Sequence, residues 1–102
     1  MSDFASIADV LDRAATAMET NPALDPDGAV RLAVWGDPET PYPGDQQPGA
    51  DTFDQAEIAI ESWVADKHGY NPGGGIDHLD RTEAIEAARA GAARFRSYGG
   101  DR

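Results

Sequence analysis

Apolar positions in this chain fall into four blocks separated by proline- and glycine-bearing breaks. From Asp3 to Thr20, Phe4, Ile7, Leu11, Ala14/Ala15 and Met18 recur at three- and four-residue steps. Asp9, Asp12, Arg13 and Glu19 lie off that line. The period predicts an amphipathic helix over 3–20. Ser2 or Asp3 is placed to cap it. Asn21-Pro22 stops it, because the residue before a proline is driven out of the helical region.

The second block, Leu24 to Gly36, carries two signals. Val30, Leu32 and Val34 alternate with Arg31 and Ala33, as in a strand. Asp25 followed by Pro26 is a helix start, with a capping carboxylate and proline in the first turn. No second β-branched run is present to pair with a strand, so a helix over 26–35 is expected. The alternative is an α+β fold with 29–35 as a strand, paired across a homodimer. The third block predicts a helix over 52–68. Thr52 and Gln55 have capping-box spacing, and Phe53, Ala56, Ile60, Trp63/Val64 and Lys67 form its stripe, broadened by Ile58 and Ala59. Lys67 and His68 suit its last turn, and Gly69 suits the residue after it. The fourth block predicts a helix over 82–97, capped by Thr82 or Asp80 and burying Ile85, Ala88, Ala92 and Phe95. Its alanines and Gly91 imply close approach to another helix. The expected fold is a single all-α domain over 1–102, a bundle of about four helices.

Between the second and third helices lies residues 36–51, GDPETPYPGDQQPGAD, with four prolines, three glycines and four acids. Prolines at 38, 41, 43 and 48 exclude helix and sheet in turn. Connections of this length in small domains are usually functional or disordered, and the prolines stiffen this one. Tyr42, between Pro41 and Pro43, is its one residue with substantial burial energy to offer. Packing of the loop onto the helices is the simpler account of Tyr42, and an exposed hook for a partner is the functional one. As a contact surface, the residues are Asp37, Glu39, Pro41, Tyr42, Pro43 and Asp45.

Charge narrows the partner classes. The chain of 102 residues carries a net charge of −11, and residues 1–66 hold 14 acids against Arg13 and Arg31. An acidic front half repels nucleic acid and anionic lipid, so neither is an expected direct partner. A genome-wide composition bias would also produce it, leaving Lys67 as the only lysine. Arg89, Arg94 and Arg96 on the last helix are expected to offset the acidity, within the fold or across a subunit contact. There is no cysteine, which removes disulfides and thiolate chemistry. No apolar run approaches a membrane span, and the first residues lack the basic start of a signal peptide. A cytoplasmic location is expected, or a virion if the chain is phage-encoded.

Catalytic and metal chemistry find little footing. Asp25-Pro26-Asp27-Gly28 opens like a calcium loop, but the twelfth position is Gly36 rather than an acid. His78 sits beside Asp77 and Asp80, with His68 ten residues earlier, so a two-histidine, one-carboxylate site is conceivable. No spacing fixes those ligands on one face. No nucleophile elbow accompanies Ser2, Ser6, Ser62 or Ser97. The Asn71–Asp77 glycines lack the strand and lysine of a phosphate loop. No metal, cofactor or catalytic residue is expected, and Trp35 and Trp63 read as core.

Three stretches, Ala8–Glu19, Asp27–Asp37 and Ile76–Phe95, resemble a small domain of unknown function found in actinobacteria and their phages. In it a Leu-x-x-Ala helix opens the domain, and an Asp…Arg-Thr turn introduces the closing helix. Asp77, Asp80, Arg81, Thr82 and Ile85 take the corresponding places. The usual tryptophan-asparagine before that turn is missing here, and the proline-rich loop has no counterpart. The resemblance implies a helical fold and an accessory role, with no established activity.

The expected function is a non-enzymatic, acidic protein-interaction module, binding a protein partner or itself as a virion component or modulator of a host protein. One alternative is a DNA-mimic inhibitor, with Asp54, Glu57 and Glu61 standing in for phosphates. Another is a small metal-dependent enzyme using His68, His78 and Asp77.

Overall fold

The computed structural model describes residues 4–41, 48–69 and 79–99. Over them the chain is an all-α bundle of α1 (Phe4–Thr20), α2 (Pro26–Trp35), α3 (Ala50–His68) and α4 (Arg81–Gly99). α1 packs on all three other helices, most extensively against α4. Ile7, Leu11 and Met18 of α1 meet Val30 of α2 and Phe53, Ile60 and Val64 of α3 in one buried cluster. No helix among the described residues is long and apolar enough to cross a membrane.

Residues 29–35 are helical, and local chemistry explains why. The Asp25 side chain accepts a hydrogen bond from Gly28 N at 2.7 Å, and Ala29 N donates to Asp25 O at 2.9 Å. Pro26 supplies a pre-set φ at the first helical position. Gly36, at φ 84°, closes the far end by donating to Leu32 O. The strand-like alternation has a tertiary origin, since α2 touches α1, α3 and α4 and so finds apolar neighbours on several sides.

α4 contributes small residues to the core: Ala84, Ala87, Ala88 and Ala92 are all buried. A methyl added at Gly91 would lie 3.0 Å from Leu11 Cδ1 and 3.5 Å from Ala59 Cβ. The missing side chain therefore sets how closely α4 approaches its neighbours, as its composition implied. Asp80 caps α4, its side chain accepting from Glu83 N at 3.3 Å.

α3 departs from expectation at its start. It begins at Ala50, two residues before the Thr52–Gln55 capping box, and its N-cap is Gly49 at φ 88° with no side-chain cap bond. Contact with α2 decides this. Trp35 Nε1 donates to Pro48 O at 3.0 Å, and a methyl on Gly49 would fall 2.7 Å from both Val34 Cγ1 and Trp35 Nε1. Docking on α2 thus fixes the turn upstream of the box. The end is as predicted, with Gly69 at φ 78° donating to Ala65 O. α4 runs two residues past its expected end, to Gly99. Ser2, Asp3 and Ile76 lie outside the described residues.

Candidate functional site

The loop between α2 and α3 was the expected contact surface, and its described ends are tied to the bundle. Asp37 Oδ1 accepts from Glu39 N at 2.9 Å, while Asp37 O accepts from Thr40 Oγ1 at 2.8 Å. Asp37 therefore shapes a turn. Arg31 Nη1 donates to Thr40 O at 2.7 Å and pins that turn to α2. Glu39 and Pro41 are exposed. Tyr42, Pro43 and Asp45 lie outside the described residues.

A different surface stands open between α3 and α4. Ile58, Ser62 and Trp63 on one side face Arg94, Phe95 and Tyr98 on the other across a groove of about 160 Å³. Ala59, Ala90 and Gly91 make its floor thin. Two residues read as core from sequence are on the surface here, Phe4 at 43% exposed and Ile58 at 52%, beside Tyr98 at 54%. Phe4, Phe95 and Tyr98 form an aromatic triad: Phe95–Tyr98 centroids are 5.8 Å apart at 84°, and Phe4–Tyr98 5.5 Å at 63°. Phe4 lies 5.7 Å from Phe95 and closes the set. Edge-to-face packing holds these rings in place. Trp63, expected in the core, is half-buried in the groove wall, with Lys67 Nζ 5.1 Å from its ring centre.

Charge around this groove is uneven. Arg89 reaches Glu19 at 2.6 Å and Asp12 at 3.4 Å across α1. Arg96 pairs with Asp12 and with Asp9. Lys67 pairs with Glu86 and Glu83, and His68 lies 2.7 Å from Glu83. Arg94 lines the groove and, among the described residues, has no carboxylate partner.

A second cluster joins α2 to α3. The Glu57 carboxyl is pushed up to about 9, by desolvation first and then by its hydrogen bond to Asp27, the Asp27 charge and Glu61, against a weaker opposing pull from Arg31. Burial works against the Asp27 charge as well, but hydrogen bonds to Glu57 and Arg31, with the Arg31 charge, hold its pKa below the ordinary value. The pair therefore keeps one proton at neutral pH, on Glu57. Arg31 Nε bonds Asp27 at 2.8 Å and stacks its guanidinium 4.8 Å from the Phe53 ring centre. Glu57 Oε2 is buried with no hydrogen-bond partner. The cluster is a latch between helices, and none of the described cavities is lined by Glu57. The charge row Asp54, Glu57, Glu61 is thereby one short at neutral pH.

For metal chemistry, His78 and Asp77 lie outside the described residues, and His68 faces Glu83. Among the described residues no group of three His, Asp or Glu side chains is placed to hold a metal ion.

No family model, curated protein or solved structure matches this chain. The resemblance carried by Ile76–Phe95 gains no support from them.

Ile58 and Ala59 were the readable signal for the groove. They widen the apolar stripe of α3 beyond what one neighbour can cover. Phe95 and Tyr98, three apart on α4, were a second, since that spacing puts both on one face.

Proposed function

We propose that this chain is a non-enzymatic protein-interaction module whose contact surface is the α3–α4 groove, occupied by a helical segment of a partner protein. One observation carries the proposal: Ile58 and Tyr98, large apolar side chains 52% and 54% exposed, line one groove, and Phe4, 43% exposed, packs its ring on Tyr98 and Phe95 of that groove. Contiguous exposed apolar surface in a small soluble domain is costly unless covered, and aromatic residues are the usual anchors of protein interfaces. A groove between two helices is a shape that a third, amphipathic helix can fill. The described polar clusters are committed to structure, Asp27–Glu57–Arg31 between helices and Asp25 and Asp80 at caps. An accessory role, such as a virion component or host-protein modulator, fits such a module.

Site-specific photocrosslinking tests the surface. A benzophenone amino acid is placed at Ile58, at Tyr98, at Pro41 in the loop and at Thr16 on the exposed face of α1. The same partner band is expected from Ile58 and Tyr98 and from neither control. A band from Pro41 with none from Ile58 would return the contact surface to the loop.

A further inference from the structure

We propose that the helix taken by the α3–α4 groove is amphipathic and carries a carboxylate beside the middle of its apolar row, read by Arg94. This rests on the groove being the contact surface. Its electrostatics then choose the ligand. Among the groove-lining residues Arg94 is the one formal charge. Its neighbours on α4, Arg89 and Arg96, are already matched by Glu19, Asp12 and Asp9. Lys67, on α3, is engaged with Glu83 and Glu86. Arg94, with no carboxylate partner among the described residues, lies midway along the α4 wall and places the groove's positive charge at its centre.

Arginine is suited to this task. Its planar fork meets a carboxylate with two parallel hydrogen bonds, and it sheds water more readily than lysine does. Beside the apolar walls of Phe95 and Tyr98 an incoming carboxylate is less screened than on open surface. Elsewhere the molecule repels anions, since its net charge is −11. That same charge argues against a second copy of this chain as occupant, because docking would bring two strongly acidic surfaces together. The wall from Gln55 to Trp63, and the facing wall from Ala90 to Tyr98, is ~12 Å long or about two helical turns. Apolar anchors at i, i+3 or i+4, and i+7 span that length, with the acid flanking the central anchor, level with Arg94.

The test selects binders from a displayed library of random peptides of about 16 residues, roughly four helical turns, against the full-length protein. Selected peptides are then measured by fluorescence anisotropy. The expected consensus has apolar residues at helical spacing and Asp or Glu at a constant offset. Arg94→Glu is expected to weaken those peptides about tenfold or more, and replacing the peptide acid by lysine to restore binding to Arg94→Glu. Peptides that bind wild type and Arg94→Glu equally would overturn the carboxylate readout while leaving the groove as the contact surface. Peptides that also survive Ile58→Asp with Tyr98→Ala would overturn the groove itself. Absence of any enriched helical consensus would overturn both. Arg94 is exposed, so far-ultraviolet circular dichroism of its variant is expected to match wild type, which separates lost binding from lost fold.

Discussion

α4 buries Ala84, Ala87, Ala88 and Ala92 in the core and packs most extensively against α1, with Arg89 and Arg96 clipped to acids of α1 at the rim. Toward α3, from Ala90 to Tyr98, the same helix leaves a groove with an exposed tyrosine and an arginine that has no carboxylate partner among the described residues. One helix thus makes a closed seam and an open one. Small side chains let two backbones approach until little solvent-accessible surface is left, and charges at the rim can then find fixed partners. Larger side chains at an otherwise similar seam hold surface open for something else to cover. The two sides of α4 therefore divide stability from binding.

The largest effect that would expose this division is at Leu11. It is fully buried on α1, the helix that packs most extensively against α4. Leu11→Ala is expected to destabilise the fold by about 3 kcal/mol, the usual loss for emptying a packed leucine site. Ile58→Ala, which removes a comparable aliphatic group at the open seam, is expected to stay within about 0.5 kcal/mol. Urea denaturation of the two variants checks both values. Equal losses would mean that the groove is part of the core.

Next in size is Gly49, where α3 begins against α2. Its φ of 88° is the left-handed region, and a methyl there would lie 2.7 Å from Val34 Cγ1. Gly49→Ala is expected to cost about 2 kcal/mol from the backbone conformation and the clash together. By contrast, Gly36→Ala meets nothing within 4 Å and loses only the conformational part, about 1 kcal/mol. Melting curves of the pair separate the steric contribution from the backbone one.

Glu57 gives a smaller effect with a characteristic pH dependence. Its folded pKa, about 9, is above the ordinary 4.5, so the folded state retains a proton that the unfolded chain releases. Stability from this group is complete below pH 4.5 and is lost as pH rises toward 9. Asp27 acts in the opposite sense, losing its contribution only as pH falls below its ordinary 3.8. Glu57→Gln keeps a donor toward Asp27 and cannot ionise. It is expected to match wild type near pH 4.5 and to exceed it by on the order of 1 kcal/mol at pH 8, since the half-exposed site is partly screened by water. Parallel stability profiles for the two proteins across that range would exclude the shared proton.

Local signals and tertiary ones separate cleanly when sequence and structure are set side by side. The bounds of α2 were legible at 26–35 because Asp25 and Pro26 act within one turn. The Gly69 stop and the Asp80 cap are equally local. The start of α3 was misplaced because a tryptophan and a valine from α2 decide it. Ile58 and Ile60 look alike in sequence, yet Ile60 is fully buried and Ile58 half exposed. Two residues on a helix point nearly opposite ways, and which way has a neighbour is settled by packing. The Asp27–Glu57 pair spans two helices and leaves no mark on either. Asp37 was readable and missed: Asp-Pro-x-Thr is turn chemistry, and its carboxylate is engaged by the turn's own backbone.

The smallest effect distinguishes the arginines on the two sides of α4. Arg89 and its partners Glu19 and Asp12 are all substantially exposed, so Arg89→Ala is expected to lower stability by about 0.5 kcal/mol at low salt. Raising ionic strength to about 1 M shrinks the screening length to roughly 3 Å and should erase most of that difference. Arg94→Ala, with no carboxylate partner to lose among the described residues, is expected to leave the melting temperature unchanged at either salt concentration. A salt-dependent loss in Arg94→Ala matching that of Arg89→Ala would mean that this guanidinium is already satisfied within the chain. It would then have nothing to offer an incoming acid, and the open side of α4 would be as electrostatically closed as the side facing α1.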